Sequence, residues 1–368
     1  MRISRLKLSN IRSISALSFD AAPDINIIHG PNGSGKTSIL EGIHLLSIAR
    51  SFRTHQSRHV ITEGQPLTTC FAQIDGPDGG GSLGIERTLQ GELRVRYRGE
   101  DIDLTTLASL MPLQVIDSDT FNLLDGSPSV RRQFIDWGAF HHTPGFISVW
   151  RGFQRALKQR NSLLKRGTIE RSLKEVWDRE FILHAERLTE LRRAYIEALL
   201  PHFAEISEQL VREVKTELKF SPGWDTDQSL QQLLDESFER DMRQGFTSVG
   251  PQRADLRFKV GNRAAAEHLS RGQKKLVVSA LKLAQGQLYA AQRGQPCVYL
   301  IDDLPAELDR GHLGTFCEYL KQSGSQCFIT CVEPSSMLEV WGTETDGALI
   351  QLESGQLTAK QRFGESDE

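Results

Sequence analysis

The feature that most constrains this fold is a glycine-rich run near the start, Gly30-Pro31-Asn32-Gly33-Ser34-Gly35-Lys36-Thr37, whose chemical complement lies near the other end of the chain. The run fits G-x-x-x-x-G-K-[ST], a phosphate loop. It follows Ile25-Asn26-Ile27-Ile28, read as a short buried strand, and precedes Ser38 to Leu46, whose apolar residues recur at helical spacing. Strand, loop and helix thus come in the order a phosphate cradle needs. Glycines let the backbone curl so that its N–H groups point inward at phosphate oxygens. The positive end of the following helix adds roughly 0.3–2 kcal/mol per nearby anion. Lys36 is placed to reach the β and γ oxygens of a triphosphate such as ATP, and Thr37 to offer its hydroxyl to Mg²⁺. Ser38 closes the binding run.

The complement is Val298-Tyr299-Leu300-Ile301 followed by Asp302-Asp303, which reads as a buried parallel strand ending in two acids. Asp302 is placed to hold Mg²⁺ through its water shell. Asp303 is placed to orient or polarise the attacking water, the role usually taken by glutamate in related ATPases; a shorter acid sits further back, which implies slow hydrolysis. Between the two lies Ser270-Arg271-Gly272-Gln273, ahead of an apolar helix. Alone, Ser270 reads as an N-cap. Beside the other two motifs, Ser270, Arg271, Gly272 and Gln273 read as an ABC-type signature that faces away from its own phosphate loop. Such a signature completes a partner's site, so ATP joins two copies of the chain and hydrolysis releases them.

The expected fold class is α/β: an ABC-type P-loop ATPase head, with a mixed or parallel sheet and an antiparallel β-subdomain, carrying an inserted helical lobe. The expected boundaries are 1–120 for the first part of the head, 121–245 for the lobe and 246–368 for the rest of the head. The 67–105 stretch reads as a β-meander turning at Gly79-Gly80-Gly81. Ser127-Pro128 opens a stretch that reads as helical to about 245, its helices too short and irregular for a long coiled coil. Gly364 to Glu368 read as a frayed acidic tail.

The 368 residues are 39% hydrophobic and 25% charged, which suits a globular chain and argues against wholesale disorder. The formal net charge of −3 does not advertise nucleic-acid binding, so any DNA contact must come from a local patch. Five cysteines, with no C-x-x-C pair, fit reduced thiols and no disulfide framework. Arg2, Arg5 and Lys7 rule out a signal peptide at the start, and no apolar run approaches the roughly 20 residues of a membrane helix. These features point to the cytoplasm and to no membrane partner.

Further stretches give a more specific resemblance: Leu8-Ser9-Asn10-Ile11-Arg12, Ser51-Phe52-Arg53-Thr54, Gly126-Ser127-Pro128 with Arg131 to Gly138, Leu157-Lys158-Gln159-Arg160-Asn161, and Glu307-Leu308-Asp309. With the three ATPase motifs, the chain resembles the RecF family, bacterial recombination-mediator ATPases of the SMC-like ABC group, nearly end to end. The resemblance implies an ATP-dependent homodimer that binds gapped or single-strand/double-strand junction DNA. It implies work with RecR, and in some bacteria RecO, to help load RecA. It implies that Glu307-Leu308-Asp309 signals between two sites, and it makes Gln114 the candidate glutamine that senses Mg²⁺ beside Thr37 and Asp302; an ordinary strand glutamine is the alternative. The chain departs from the pattern at Ile116-Asp117-Ser118-Asp119, at Gln252 in Gly250-Pro251-Gln252-Arg253, and at Phe328-Ile329-Thr330-Cys331, where a switch histidine is absent.

For DNA, residues 151–200 hold twelve Lys or Arg against seven Asp or Glu, and Arg151, Arg155, Lys158 and Arg160 fall along one predicted helix. A solvated helix face is the plainer reading of such a run. Arg131 and Arg132 are alternative liners of a dimer or DNA groove. No base-reading motif is visible, so backbone and junction shape are the expected targets. Two other functions share motifs: the energising subunit of an ABC transporter, and a small-molecule P-loop kinase. The kinase leaves Ser270 and Asp302-Asp303 without a reason.

Overall fold

The structure is a computed structural model that describes residues 1–54, 56–76, 79–166, 171–342 and 344–364. The acidic tail expected over Gly364 to Glu368 lies, beyond Gly364, outside the described residues. The chain divides into two compact units, one of Met1–Phe121 with Lys275–Glu368, the other of Asn122–Lys274.

The first unit opens with β1 (Arg2–Ile11), β2 (Ile14–Asp20) and β3 (Ile25–His29), passes the phosphate loop and enters α1 (Lys36–Ile48). It continues through β4 (Leu67–Asp75), β5 (Gly81–Thr88), β6 (Leu93–Tyr97), β7 (Glu100–Asp101), α2 (Leu104–Leu110) and β8 (Leu113–Ile116). Alternating burial along β4 and β5 fits strands with one face on the core and one face open. Together with β1, β2, β6 and β7 they make an antiparallel sheet in the order β2-β1-β4-β5-β6-β7.

The second unit holds α3 (Asn122–Asp125), α4 (Pro128–His142), α5 (Phe146–Leu164), α6 (Arg171–Leu210), β9 (Glu217–Ser221), α7 (Leu230–Gln244), β10 (Asp255–Val260), β11 (Arg263–Ala264) and α8 (Ala265–His268). α5 and α6 pack side by side, with the Phe153 and Phe181 rings 5.5 Å apart in their seam. Two expectations need correction here. First, α6 runs for 40 residues, about 60 Å at the helical rise, so not every helix is short. Its apolar stripe stays buried on both sides of Pro201, at Tyr195, Leu199, Phe203 and Ile206. α5 has only 19 residues, so the pair falls well short of a long coiled coil. Second, the stretch is not wholly helical, and the unit does not end near 245. β10 pairs antiparallel with β9, from Asp255 opposite Ser221 to Lys259 opposite Glu217, which keeps 246–274 with the second unit.

The chain re-enters the first unit at Lys275, inside α9 (Arg271–Arg293). There follow β12 (Val298–Ile301), α10 (Leu304–Glu307), α11 (Arg310–Gln322), β13 (Cys327–Cys331), α12 (Ser335–Trp341), β14 (Gly347–Glu353) and β15 (Gln356–Phe363). The second large sheet has the order β15-β14-β3-β13-β12-β8. Its strands β14, β3, β13, β12 and β8 run parallel, and β15 is antiparallel at the edge. β12 and β13 are buried along their whole length, as strands covered on both faces must be. α1 packs against strands of both sheets. Gly42 makes that approach possible, because a β-carbon there would meet Leu8 Cδ2 at 2.6 Å.

Candidate nucleotide site

The C-terminal ends of three adjacent parallel strands converge on one place. β3 delivers the phosphate loop, β12 delivers Asp302-Asp303, and β13, which lies between them, ends beside Thr330. The crevice outside the carboxyl ends of such strands is where α/β sheets bind ligands. Here it is a cleft of about 400 Å³ lined by Arg12, Lys36, Thr37, Arg53, Asp302 and Asp303, among others.

The loop owes its shape to left-handed glycines. Gly30 has φ +148°, and a β-carbon there would sit 2.2 Å from the Leu352 carbonyl oxygen. Gly35, at φ +102°, starts α1 without a side-chain cap, so the first N–H groups of the helix stay free for a ligand. Lys36 donates from Nζ to the carbonyls of Gly30 at 2.7 Å and Pro31 at 3.0 Å, which folds its ammonium over the loop. Asn32, Gly33, Gly35 and Ser38 line the cleft, and Ser34 is buried within the loop.

The acids meet the loop directly. Thr37 Oγ1 lies 3.0 Å from both carboxylate oxygens of Asp302. Thr330 donates from Oγ1 to Asp302 Oδ1 at 2.6 Å and accepts from the Asp303 N–H at 2.8 Å. Burial pushes the Asp302 carboxyl upward, against the hydrogen bonds from Thr330 and Thr37, and nearby Asp117 adds to the rise. A carboxylate burdened in this way gains from a cation beside it. A hydroxyl and a carboxylate 3.0 Å apart at the mouth of a phosphate loop fit Mg²⁺, which would take its other ligands from water and phosphate. No cluster of three or more His, Cys, Asp or Glu side chains suited to a metal occurs among the described residues. Asp303 sits at φ +53° and ψ +43°, a left-handed conformation that a non-glycine residue rarely adopts, and lines the same cleft.

Gln114 is not brought to this place. Strand register sets it opposite Tyr299, three positions before Asp302 on the neighbouring strand, a distance of roughly 10 Å along a strand. It is buried, donates to Gln285 at 2.9 Å and accepts from Lys282 at 3.2 Å. The expectation that Gln114 binds metal is therefore corrected: α9 satisfies its amide. The Asp117 end of the same segment comes near Asp302 instead.

Two residues that line the cleft, Thr330 and Arg12, have no role assigned from the sequence, nor does Ser51 nearby. Thr330 belongs to the run Phe328-Ile329-Thr330-Cys331, where a switch histidine is absent. Arg12 grips the fully buried Glu41 with two hydrogen bonds of 2.8 Å. Ser51 also donates to Glu41, and accepts from the N–H groups of Arg53 at 2.9 Å and Thr54 at 3.1 Å. The stretches around Arg12 and Ser51–Thr54 thus meet through one buried acid. Their closeness depends on a turn of α1 that sequence spacing does not show.

The signature residues Ser270 to Gln273 belong to the second unit. Ser270 Oγ accepts from the Gln273 N–H at 3.2 Å, and the Gln273 side chain accepts from the Ser270 N–H at 3.0 Å, a reciprocal capping box at the start of α9. Arg271 and Gly272 are exposed in that first turn. Glu307 pairs with Lys275, and Asp309 caps α11 by accepting from Gly311 and His312.

The DNA candidates divide. Arg151, Arg155 and Lys158 are exposed on α5. Arg160 is only 3% exposed and is held by Asp178 at 2.8 Å, Asp241 at 3.3 Å and Thr247 at 2.7 Å, so it is corrected to an internal ion-pair residue. Arg131 is likewise buried on Asp255 at 2.6 Å, and Arg132 donates to the Ala254 carbonyl at 3.0 Å.

A phosphate loop after a buried parallel strand, an acid pair on a second strand, a capped glycine-containing signature helix and an antiparallel subdomain define an ABC-type ATPase head of the SMC kind. A family model described as the RecF/RecN/SMC N terminal domain matches residues 2–350. Curated relatives named DNA replication and repair protein RecF include one from Pseudomonas syringae pv. tomato and one from Marinomonas sp.. Each is 46% identical over 360 residues, covering 97% of this chain and 98% of the relative. The chain belongs to the RecF family of DNA replication and repair proteins. In fold it is similar to the solved recombination mediator protein RecF-ATP of the RecFOR pathway, with a TM-score of 0.86 at 21% identity over 98% of this chain and 97% of that one. It is also similar to an Smc head bound to the C-winged helix domain of ScpA, with a TM-score of 0.60 at 17% identity over 98% of both chains. The transporter reading is set aside: the relatives are replication and repair proteins. Among the described residues, no helix is long and apolar enough to cross a membrane.

Proposed function

We propose that this chain is an ATP-controlled DNA-binding switch of recombinational repair and replication restart. ATP and Mg²⁺ occupy the cleft, with Gly30 to Ser38 around the phosphates, Lys36 on the β and γ oxygens, and Thr37 and Asp302 toward the metal. The metal, when bound, neutralises phosphate charge and orients the terminal group. Thr330 holds Asp302 and the Asp303 backbone in place, and Asp303 positions the attacking water. Ser270, Arg271, Gly272 and Gln273 of a second copy close the site in trans, so triphosphate binding makes a homodimer that engages gapped or junction DNA. Slow, DNA-stimulated hydrolysis releases it. In the cytoplasm the switch works with RecR, and with RecO where that is present, to help load RecA.

The observation that carries this reading is the contact of Thr37 with both oxygens of Asp302 at 3.0 Å, across 265 residues of the chain. Sedimentation of the full chain with and without ATP and gapped duplex tests pairing and substrate together. The expected result is a dimer only with ATP, and a larger species when DNA is added. A nucleotide-saturated chain that stays monomeric with gapped DNA present would refute the switch.

A further inference from the structure

A second cavity, of about 440 Å³, lies in the first unit. Its polar lining includes Arg50, Arg87, Ser51 and Thr54, and its apolar lining includes Leu45 and Leu93. Among the described residues, its lining contains no carboxylate. Arg87 spends one nitrogen, Nη2, on the Ala49 carbonyl at 2.6 Å, while its buried Nε has no hydrogen-bond partner. Arg50 is exposed, and neither arginine joins a salt bridge among the described residues. The two guanidinium groups lie close enough for Arg50 to weigh against the charge on Arg87, after burial, the larger cause. Elsewhere in this unit clustered arginines have an acid: Arg94 and Arg96 share Asp101. Two like charges beside a cavity, with an unused buried N–H, suit a guest of opposite sign. Guanidinium forks and hydroxyls suit phosphate oxygens. The volume falls within the roughly 300–1,000 Å³ of small-molecule sites, leaving room for a group carried on the phosphate against the apolar wall.

One short strap forms a wall of both cavities. Arg53 lines the nucleotide cleft; Arg50, Ser51 and Thr54 line the second cavity. The strap is tied to α1 at two points. Ser51 donates to Glu41, which also holds Arg12 of the nucleotide cleft. His44 bonds the Arg50 carbonyl through Nδ1 at 2.5 Å and packs edge-on to Phe52 with ring centroids 5.4 Å apart. Burial holds the His44 pKa down at about 4, so at neutral pH it ties the strap as an uncharged N–H donor. α1 is the helix that begins at Lys36.

We propose that the Arg50–Arg87 cavity binds a phosphate group, free or carried on a nucleic-acid strand, and that its occupancy is transmitted through the strap to the nucleotide cleft. The anion site stands on its own geometry; the transmission rests on the nucleotide reading above.

Calorimetry on the full chain tests both parts, with the phosphate loop first filled by a non-hydrolysable ATP analogue so that only other sites remain. Inorganic phosphate is titrated first, then a short 5′-phosphorylated deoxyoligonucleotide and its 5′-hydroxyl twin. Wild type is expected to bind phosphate. Arg50→Gln, which breaks no pairing in the folded chain, is expected to bind about tenfold more weakly, the size of one charge-assisted hydrogen bond. Arg87→Met is the second variant, checked for folding by circular dichroism. If only the 5′-phosphorylated strand shows the Arg50 dependence, the guest is a strand terminus; equal dependence in both strands makes it a backbone phosphate. Phosphate binding that vanishes when the loop is filled, or that Arg50→Gln leaves unchanged, overturns the site. For the transmission, phosphate should change analogue affinity at least threefold in wild type and not in Ser51→Ala, as reciprocal linkage requires. An unchanged affinity in wild type overturns it while leaving the anion site and the nucleotide reading intact.

Discussion

Lys36 and Arg160 are both cations that the structure buries, and they show how differently one residue type can be used. Lys36 folds over backbone carbonyls of its own loop, and among the described residues no carboxylate pairs with its ammonium. Its partners in the fold are those two carbonyls, where a bound triphosphate would bring full charges. Lys36→Met is therefore expected to lower the melting temperature only modestly while removing nucleotide binding, and with it ATP-driven pairing. Fluorescent-nucleotide titration checks the first effect; retained binding would count against Lys36 as the clamp. Arg160 is surrounded by Asp178, Asp241 and Thr247. Its removal takes a cation from two buried acids, leaving Lys174 on Asp178 and the neutral donors Ser237 and Ser248 on Asp241, which costs about 3–5 kcal/mol. Urea unfolding of Arg160→Ala should show that loss, whereas Lys158→Ala, exposed on the same helix, should stay within about 0.5 kcal/mol of wild type. In sequence the two lie in one basic run, Lys158-Gln159-Arg160. Only helix phase and the acids supplied by α6 and α7 separate them.

At the scale of elements, α9 is the busiest, because its start carries the signature and its middle braces β8. Ser270 is an N-cap in the structure, and Ser270→Arg should cost the helix about 1 kcal/mol. That change leaves the phosphate loop untouched, so single-chain nucleotide binding should persist while pairing fails in sedimentation. Loss of single-chain binding would put the signature in the wrong role. Further along α9, Lys282 is buried, and that burial lowers its pKa to about 8, from a usual value of 10.5. A base whose folded pKa lies below its unfolded value binds fewer protons when folded. Its contribution therefore disfavours the fold below pH 8, and stability recovers as pH rises from 8 toward 10.5. Buried thiols and Tyr289, whose pKa values are pushed up to about 12, oppose that trend at higher pH. The difference between wild type and Lys282→Met isolates the lysine. Unfolding free energies over this range should show wild type gaining relative to the variant, by on the order of 3 kcal/mol for a shift of this size. A pH-independent difference would mean that burial does not lower the Lys282 pKa in the fold.

For the whole molecule, a formal charge of −3 means that any DNA contact must come from local patches, and of the basic run on α5 the fold leaves Arg151, Arg155 and Lys158 exposed. Affinity should fall as salt rises, with a log–log slope of about 0.9 for each duplex phosphate contacted. Arg155→Ala with Lys158→Ala should reduce that slope by about two; a salt-independent affinity would contradict backbone recognition. The sequence by itself determined the phosphate loop, the acid pair after β12 and the capped start of α9, because each is a short run whose glycines, polar groups and flanking apolar residues act locally. It also determined the class of the fold, through apolar strands that precede the loop and the acids. Tertiary structure alone decided which distant residues meet. It set Thr330 against Asp302, drew Arg12 and Ser51 onto Glu41, turned Gln114 toward α9, and paired β9 with β10 so that 246–274 stayed with the second unit. The physical reason is that strand register and helix phase are fixed by packing between segments far apart in the chain, and no local run of residues records its eventual neighbour.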